Sequence, residues 1–213
     1  MAHQAAPDAN TRLFAPGFAG HSQISARTLG FWLYMLSDAL LFTALFAAYA
    51  VLDTPMNAAG GPIATQIVNP VEGFWQTIAI LGSVTAYSLA TVALKTGNRA
   101  GVILGIVAAM VLAVVFLGFG FNDLATLTAQ GNGMDRSGYL SAYFVLILTH
   151  AIHMLFGLLW MLVMLVQIPR DGFNEMVVAR LLNLRMFWQF QATVWVCVYI
   201  YVYMICLLYT SDA

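Results

Sequence analysis

The sequence predicts an all-α fold, a polytopic membrane bundle of five helices, and three observations carry that expectation. Of 213 residues, 62% are hydrophobic and only 8% charged, against about 25% charged in an ordinary soluble domain; mean hydropathy is +0.84. The apolar residues gather into five long runs parted by polar segments, and each run is near or above the roughly 20 residues that cross a bilayer core. Lys and Arg fall on alternate connections. With the N-terminus inside, Arg12, Arg27, Lys95, Arg99, Arg170, Arg180 and Arg185 are cytoplasmic and only Arg136 is not. That asymmetry is the positive-inside bias, so the N-terminus is expected inside and the C-terminus outside.

Residues 1–27 are polar and mixed, with Pro7, Pro16, Gly17 and Gly20. No apolar signal-peptide core precedes Thr28, so these residues read as a flexible, uncleaved cytoplasmic tail ahead of a membrane domain at 28–213. The first span runs from about Thr28 to Leu52. Phe31, Trp32 and Tyr34 open it as an interfacial aromatic belt, and Ala39, Thr43 and Ala47 offer a small-residue stripe. A loop from Asp53 to Glu72, with Pro55, Gly60, Gly61, Pro62 and Pro70, leads to a second span from about Gly73 to Leu94. Phe74 and Trp75 mark its interface, Gln76 is a candidate helix-end contact, and Gly82, Ala86 and Ala90 form a small-residue face.

Lys95 and Arg99 bracket a turn holding Gly97 and Asn98, which makes spans two and three an antiparallel hairpin. The third span, about Ala100 to Phe121, carries Gly101, Gly105 and Ala109 at the spacing that favours close helix approach. Asp123 closes it at the interface. The fourth runs from Gly138 to Ile168 without one Asp, Glu, Lys or Arg. The fifth, about Leu184 to Tyr209, opens with Phe187 and Trp188. Gln189, Gln191 and Thr193 follow, and Tyr199, Tyr201 and Tyr203 spread around its surface toward lipid or other subunits.

Three intramembrane groups stand out. His150 and His153, three residues apart, leave the same face of the fourth helix, about 60° apart in projection. Imidazoles at that depth must find partners within protein. They either ligate haem or copper or hydrogen-bond neighbouring helices. Transition-metal sites commonly need three or four ligands, and the remaining His3 and His21 lie in the tail. Asp38 sits inside the first span, where an unpaired charge costs about 2.5–3.5 kcal/mol. It is either a proton-handling carboxylate or a buried acid bonded to another helix, with the His pair as candidate partners.

Other function classes fall away. A net charge of −1 argues against nucleic acid. Cys197 and Cys206 are nine residues apart, about half a turn around a helix, so they do not pair. There is no phosphate-binding glycine loop, HExxH or nucleophile elbow, and no catalytic, cofactor-binding or metal-binding residue is assigned. Transporters usually show internal repeats or several intramembrane charges; here no half resembles the other. The residues point to a chain that packs against a larger membrane partner.

Three blocks resemble subunit III of haem–copper terminal oxidases. They are GFWLYMLSDALLFTALFAAYAVL (Gly30 to Leu52), DRSGYLSAYF (Asp135 to Phe144) and THAIHMLFGLLWMLVMLVQI (Thr149 to Ile168). Five spans, the Ser37–Asp38 pair and the loop at Asp135 and Arg136 resemble the bo-type ubiquinol oxidase branch. The similarity covers nearly everything after Thr28. The resemblance implies a subunit of a proton-pumping oxidoreductase complex in a bacterial inner membrane, without redox centres of its own. Haem and copper would sit in subunit I, the main partner, with subunits II and IV alongside. The subunit would stabilise subunit I, bind phospholipid and support proton uptake.

Asp38 matches the family's intramembrane carboxylate, Thr149, His150 and His153 its T-H-x-x-H block, and Asp123 the second acid of a helix-end M-E-x-Y-E pattern. Gly120 and Asn122 depart from that pattern. Gln76 stands where quinol-oxidase sequences often have Glu, and Met134 where they have Pro. Gln189 and Ala192 replace the His and Asp of the usual FWHFLDVVW, which removes polar partners inside the bundle. Asp38, His150 and His153 are therefore expected as a buried polar cluster locking the first helix to the fourth. The rivals are subunit III of a cytochrome c oxidase and a free-standing transporter using those three residues as a relay.

Overall fold

Four of the five helices begin where a side chain takes over a backbone amide that the first turn leaves unbonded. The computed structural model describes residues 20–54, 56–58, 61, 62, 67 and 69–204. Expectations for the tail up to residue 19, the side chain of His21, and Cys206 and Tyr209 lie outside them. Helix α1 is Gly20–Leu52 and α2 is Pro70–Lys95. Helix α3 is Arg99–Ala129, α4 is Gly138–Asp171 and α5 is Glu175–Val198. A wider π turn, Tyr199–Met204, follows α5.

Asn69 caps α2 through Val71 N, with Pro70 in the first turn, where its missing N–H costs nothing. Asn98 caps α3 through Gly101 N at 3.1 Å. Ser137 caps α4 through Leu140 N at 3.2 Å, and Asn174 caps α5 through Val177 N at 2.8 Å. Between α2 and α3 the chain reverses at Gly97, whose φ of 71° suits a residue without Cβ. The two helices then run antiparallel in the most extensive contact of the fold.

The helices overrun the apolar runs. Helix α1 starts at Gly20, not Thr28, since no proline interrupts residues 20–27. Helix α3 continues to Ala129 and places Asp123 within it, because the buried Leu124 and Leu127 prolong its packing face. Helix α5 starts at Glu175, not Leu184, for the same reason: Val177, Val178 and Leu181 are buried. Four helices, Thr28–Leu52, Pro70–Lys95, Arg99–Ala129 and Gly138–Asp171, are long and apolar enough to cross a membrane. Over its described length α5 is more polar, carrying Glu175, Arg180 and Arg185.

Helices α4 and α5 form the centre. Helix α1 packs on both, α3 packs on α4, and α2 packs on α5. Phe187 and Trp188, which open the predicted fifth span, are wholly buried. The reason is a hydrogen bond: Trp188 Nε1 donates to Ser83 Oγ at 2.9 Å, and Ser83 Oγ donates to the Ala109 carbonyl at 2.7 Å. Three helices are thereby pinned by one indole. Tyr203 also turns inward, against Trp195 and Tyr199, so the tyrosines of the last segment do not all face outward.

The small-residue stripes divide. A Cβ on Gly105 would stand 2.7 Å from Ala90 Cβ and 3.0 Å from the Ala86 carbonyl, and one on Gly101 2.9 Å from Ala93 Cβ. At these glycines α2 and α3 approach too closely for a Cβ to fit without a shift. Gly82 also faces α3, but what a Cβ there would meet is the end of the Leu112 side chain at 3.2 Å. On α1, Thr43 and Ala47 face outward. Its packing face is Met35, Asp38, Phe42 and Tyr49, at the three-to-four spacing of a helix stripe. The outward residues are largely apolar, among them Leu33, Leu40, Leu104 and Val166, as a lipid-facing surface requires.

Candidate functional site

Asp38 reaches from the packing face of α1 toward α4. It is 7% exposed, and its Oδ2 stands 3.8 Å from His153 Nε2. The other ring nitrogen, Nδ1, lies 2.8 Å from the Thr149 carbonyl one turn earlier. A carbonyl only accepts, so Nδ1 carries a proton. At 3.8 Å, Nε2 and Oδ2 face each other beyond hydrogen-bond distance, and among the described residues Asp38 Oδ2 is buried without a hydrogen-bond partner. Tyr34, one turn before Asp38, brings its hydroxyl within reach of the same carboxyl. Ser37 does not join: it is exposed, and its hydroxyl bonds the Tyr34 carbonyl at 2.6 Å.

His150 is 1% exposed. Its ring packs among Phe42, Phe116 and Trp195 at centroid distances of 6.2, 5.8 and 5.8 Å. Neither of its nitrogens has a hydrogen bond of ordinary geometry. Gln191, fully buried on α5, is the polar group that faces it. Phe42 contacts both imidazoles, its centroid 5.2 Å from that of His153. The two histidines thus share a face but not a partner: His153 looks to α1 and His150 to α5. Among the described residues, no group of three or more His, Cys, Asp or Glu stands close enough to hold a metal ion.

A second polar group lies at the end of the bundle where α2 begins. Gln76 is fully buried, and its Nε2 donates to Asp123 Oδ2 at 2.8 Å. Glu72, in the first turn of α2, lies within hydrogen-bond reach of Asp123. Sequence reading missed Glu72, although its place one turn before Gln76 was a usable signal. It also missed Gln191 as the inward member of its helix: Gln189 is exposed, and its backbone carbonyl accepts from Thr193 Oγ1 at 2.9 Å. Asp135 and Arg136 are exposed in the turn before α4, where Arg136 Nη1 donates to the Gly131 carbonyl at 3.2 Å.

Residues 17–207 match the model of the family described as cytochrome c oxidase subunit III. The chain belongs to that family. It is 35% identical over 185 residues to cytochrome bo(3) ubiquinol oxidase subunit 3 of Pseudomonas putida, covering 87% of this chain and 88% of that protein. The Pseudomonas aeruginosa protein of the same name is 35% identical over 184 residues, covering 86% and 87%. A quinol oxidase subunit 3 of Bacillus spizizenii is 26% identical over 176 residues, covering 83% and 85%. The resemblance read from the three sequence blocks is thus correct, and it places the chain among subunits of multi-subunit membrane oxidases. The Asp38–His153 pair, the Phe42 contact and the Gly105 seam all lie inside the matched region.

Proposed function

We propose that this chain is the non-catalytic subunit III of a proton-pumping haem–copper ubiquinol oxidase in a bacterial inner membrane. The observation that carries the reading is the similarity to bo(3)-type subunit 3 proteins along 87% of the chain. The complex would oxidise ubiquinol and reduce oxygen to water at haem and copper held by subunit I. Subunit I would be the main partner, with subunits II and IV adjacent and phospholipid at the apolar outer faces. The chain would cross the membrane five times, with its N-terminus cytoplasmic and its C-terminus periplasmic.

What the chain itself contributes is mechanical and electrostatic. Asp38 and His153 would set α1 against α4, and that pair of facing polar groups would be the chain's part in supporting proton uptake. His150 and Gln191 would fix α4 against α5.

The test is extraction of tagged protein from its native membrane in mild detergent, followed by an optical haem spectrum and subunit mass analysis. The expected result is haem and copper arriving with a large histidine-rich subunit whose companions identify a quinol oxidase. Companions that bind cytochrome c would replace the donor in this reading. A stable, colourless chain arriving alone would overturn it and favour a free-standing transporter.

A further inference from the structure

Helix α5 packs on α4, α1 and α2, while α1 and α2 make no extensive contact with each other. Asn183 marks the α1 flank of α5, its Oδ1 accepting from Thr28 Oγ1 at 3.5 Å. Leu181 and Trp188 mark the α2 flank, bonded to Tyr87 and Ser83. At about 100° per residue, Gln189 and Thr193 project into the gap between those flanks, away from α4. Gln189, Thr193 and Cys197 are exposed along this strip at a spacing of four, and the half-buried Arg185 stands one turn before Gln189. Elsewhere the outward faces are apolar: α4 shows Ile152, Phe156, Leu159 and Val166.

The decisive feature is Arg185. Its Nε is buried without a hydrogen-bond partner, and among the described residues no carboxylate forms an ion pair with it. Arg180, on the same helix, differs: its Nη1 donates to Gln167 Oε1 at 2.9 Å. Along the strip, Thr193 spends its hydroxyl proton on the Gln189 carbonyl at 2.9 Å, whereas the exposed Gln189 offers an amide with two donors and an acceptor. An acyl chain has nothing to give either the guanidinium or the amide. A neighbouring helix does, and polar side chains hold helices together where the lipid removes any apolar drive. The unpaired guanidinium also selects that helix, because its best partner is a carboxylate taken in two parallel hydrogen bonds.

We propose, resting on the subunit III reading, that the open strip of α5 between α1 and α2 docks one transmembrane helix of another oxidase subunit. That helix carries an Asp or Glu opposite Arg185 and an amide or hydroxyl side chain opposite Gln189, about 6 Å further along. It fills the gap that α1 and α2 leave and supplies the ion pair that Arg185 lacks.

The test uses the whole complex in its native membrane. A photo-crosslinking amino acid is placed at Val196, half-buried beside the strip, or at Ile152, on the outward face of α4. Tagged chain is then recovered, its haem measured and its adducts sequenced by mass spectrometry. Val196 is expected to capture one transmembrane segment with an Asp or Glu about three turns from the adduct, and Ile152 to capture lipid. Arg185→Glu sets like charges together and should lower the haem recovered per tagged chain on the order of tenfold or more, with Arg185→Lys much nearer wild type. Gln189→Leu changes an exposed side chain, so it is expected to fold and to lower haem recovery by roughly threefold. Haem-bearing wild type whose Val196 adducts are lipid alone, or a captured segment without an acid at that level, would overturn this interface and leave the subunit III reading standing. So would full haem recovery in both Arg185→Glu and Gln189→Leu. Wild type arriving without haem-bearing partners would overturn the interface and the subunit III reading together.

Discussion

His153 faces Asp38 with its Nε2 3.8 Å from Oδ2 while its Nδ1 is committed to the Thr149 carbonyl at 2.8 Å. That commitment makes Nδ1 the donor of the ring and leaves Nε2 facing the carboxyl. Asp38→Asn keeps an N–H for Nε2 and is expected to stay near wild type in stability. Asp38→Leu removes the group facing Nε2, and with the ring partly exposed the loss should be at most about 1 kcal/mol. Replacing both residues, Asp38→Leu with His153→Phe, should recover most of it, because no polar group is then orphaned. SDS-titration unfolding followed by tryptophan fluorescence checks the three variants. A double variant no more stable than Asp38→Leu would show that the pair does not act as a unit.

The α2–α3 seam gives a steric prediction. A Cβ at Gly105 would be 2.7 Å from Ala90 Cβ and 3.0 Å from the Ala86 carbonyl, so backbone must move. Gly105→Val should destabilise by about 1–3 kcal/mol, the usual cost of overpacking. Gly118 has nothing within 4 Å, and Gly118→Ala should be neutral or stabilising by up to about 1 kcal/mol through helix propensity. The same unfolding assay compares the two. Equal effects would mean that Gly105 matters only as a helix-weakening residue.

How much of this was legible in the sequence follows from the physics of each feature. The α2–α3 hairpin and the Gly101–Gly105 approach were readable, since both rest on local spacing. The seam's partners, Ala86 and Ala90, were readable too. Thr43 and Ala47 had the same spacing and failed, because a small-residue stripe does not say whether a neighbour lies on that side. His150 and His153 shared a face as expected, yet they part because α1 and α5 approach from different sides. Ser83 and Glu72 escaped notice for a related reason. Their meaning comes from residues 105 and 51 positions away, and a lone serine or a helix-start acid carries no periodic signal.

Asp53 supplies a pH prediction. It follows α1 directly, and burial raises its carboxyl above the ordinary carboxylate range. A folded-state pKa above the unfolded value means that ionising the group opposes folding. The penalty is therefore absent below the unfolded pKa of about 3.9 and fully present above the raised folded value. Asp53→Asn should stabilise the protein at pH 7, by less than about 1 kcal/mol because one side of the residue is open to solvent. The gain should vanish on acidification toward pH 4. Thermal melts of the two proteins across that range check it, and a gain that grew toward low pH would give the wrong sign.

The indole of Trp188 makes the strongest prediction about the fold. Its Nε1 donates to Ser83 Oγ at 2.9 Å, and that hydroxyl spends its own proton on the Ala109 carbonyl at 2.7 Å. Ser83→Ala removes the acceptor and strands an indole N–H in a residue that is wholly buried, for a loss of about 1–3 kcal/mol. Trp188→Phe removes the donor but also opens a void against Gly157, whose backbone lies under the Trp188 ring, so it should cost about 3 kcal/mol or more. In the double variant the serine penalty should largely disappear, because no N–H remains to be orphaned. A double-mutant cycle measures this as a coupling of about 0.5–3 kcal/mol. Strict additivity would mean that the indole and the hydroxyl stabilise the bundle independently, and the three-helix pin would be no more than a contact.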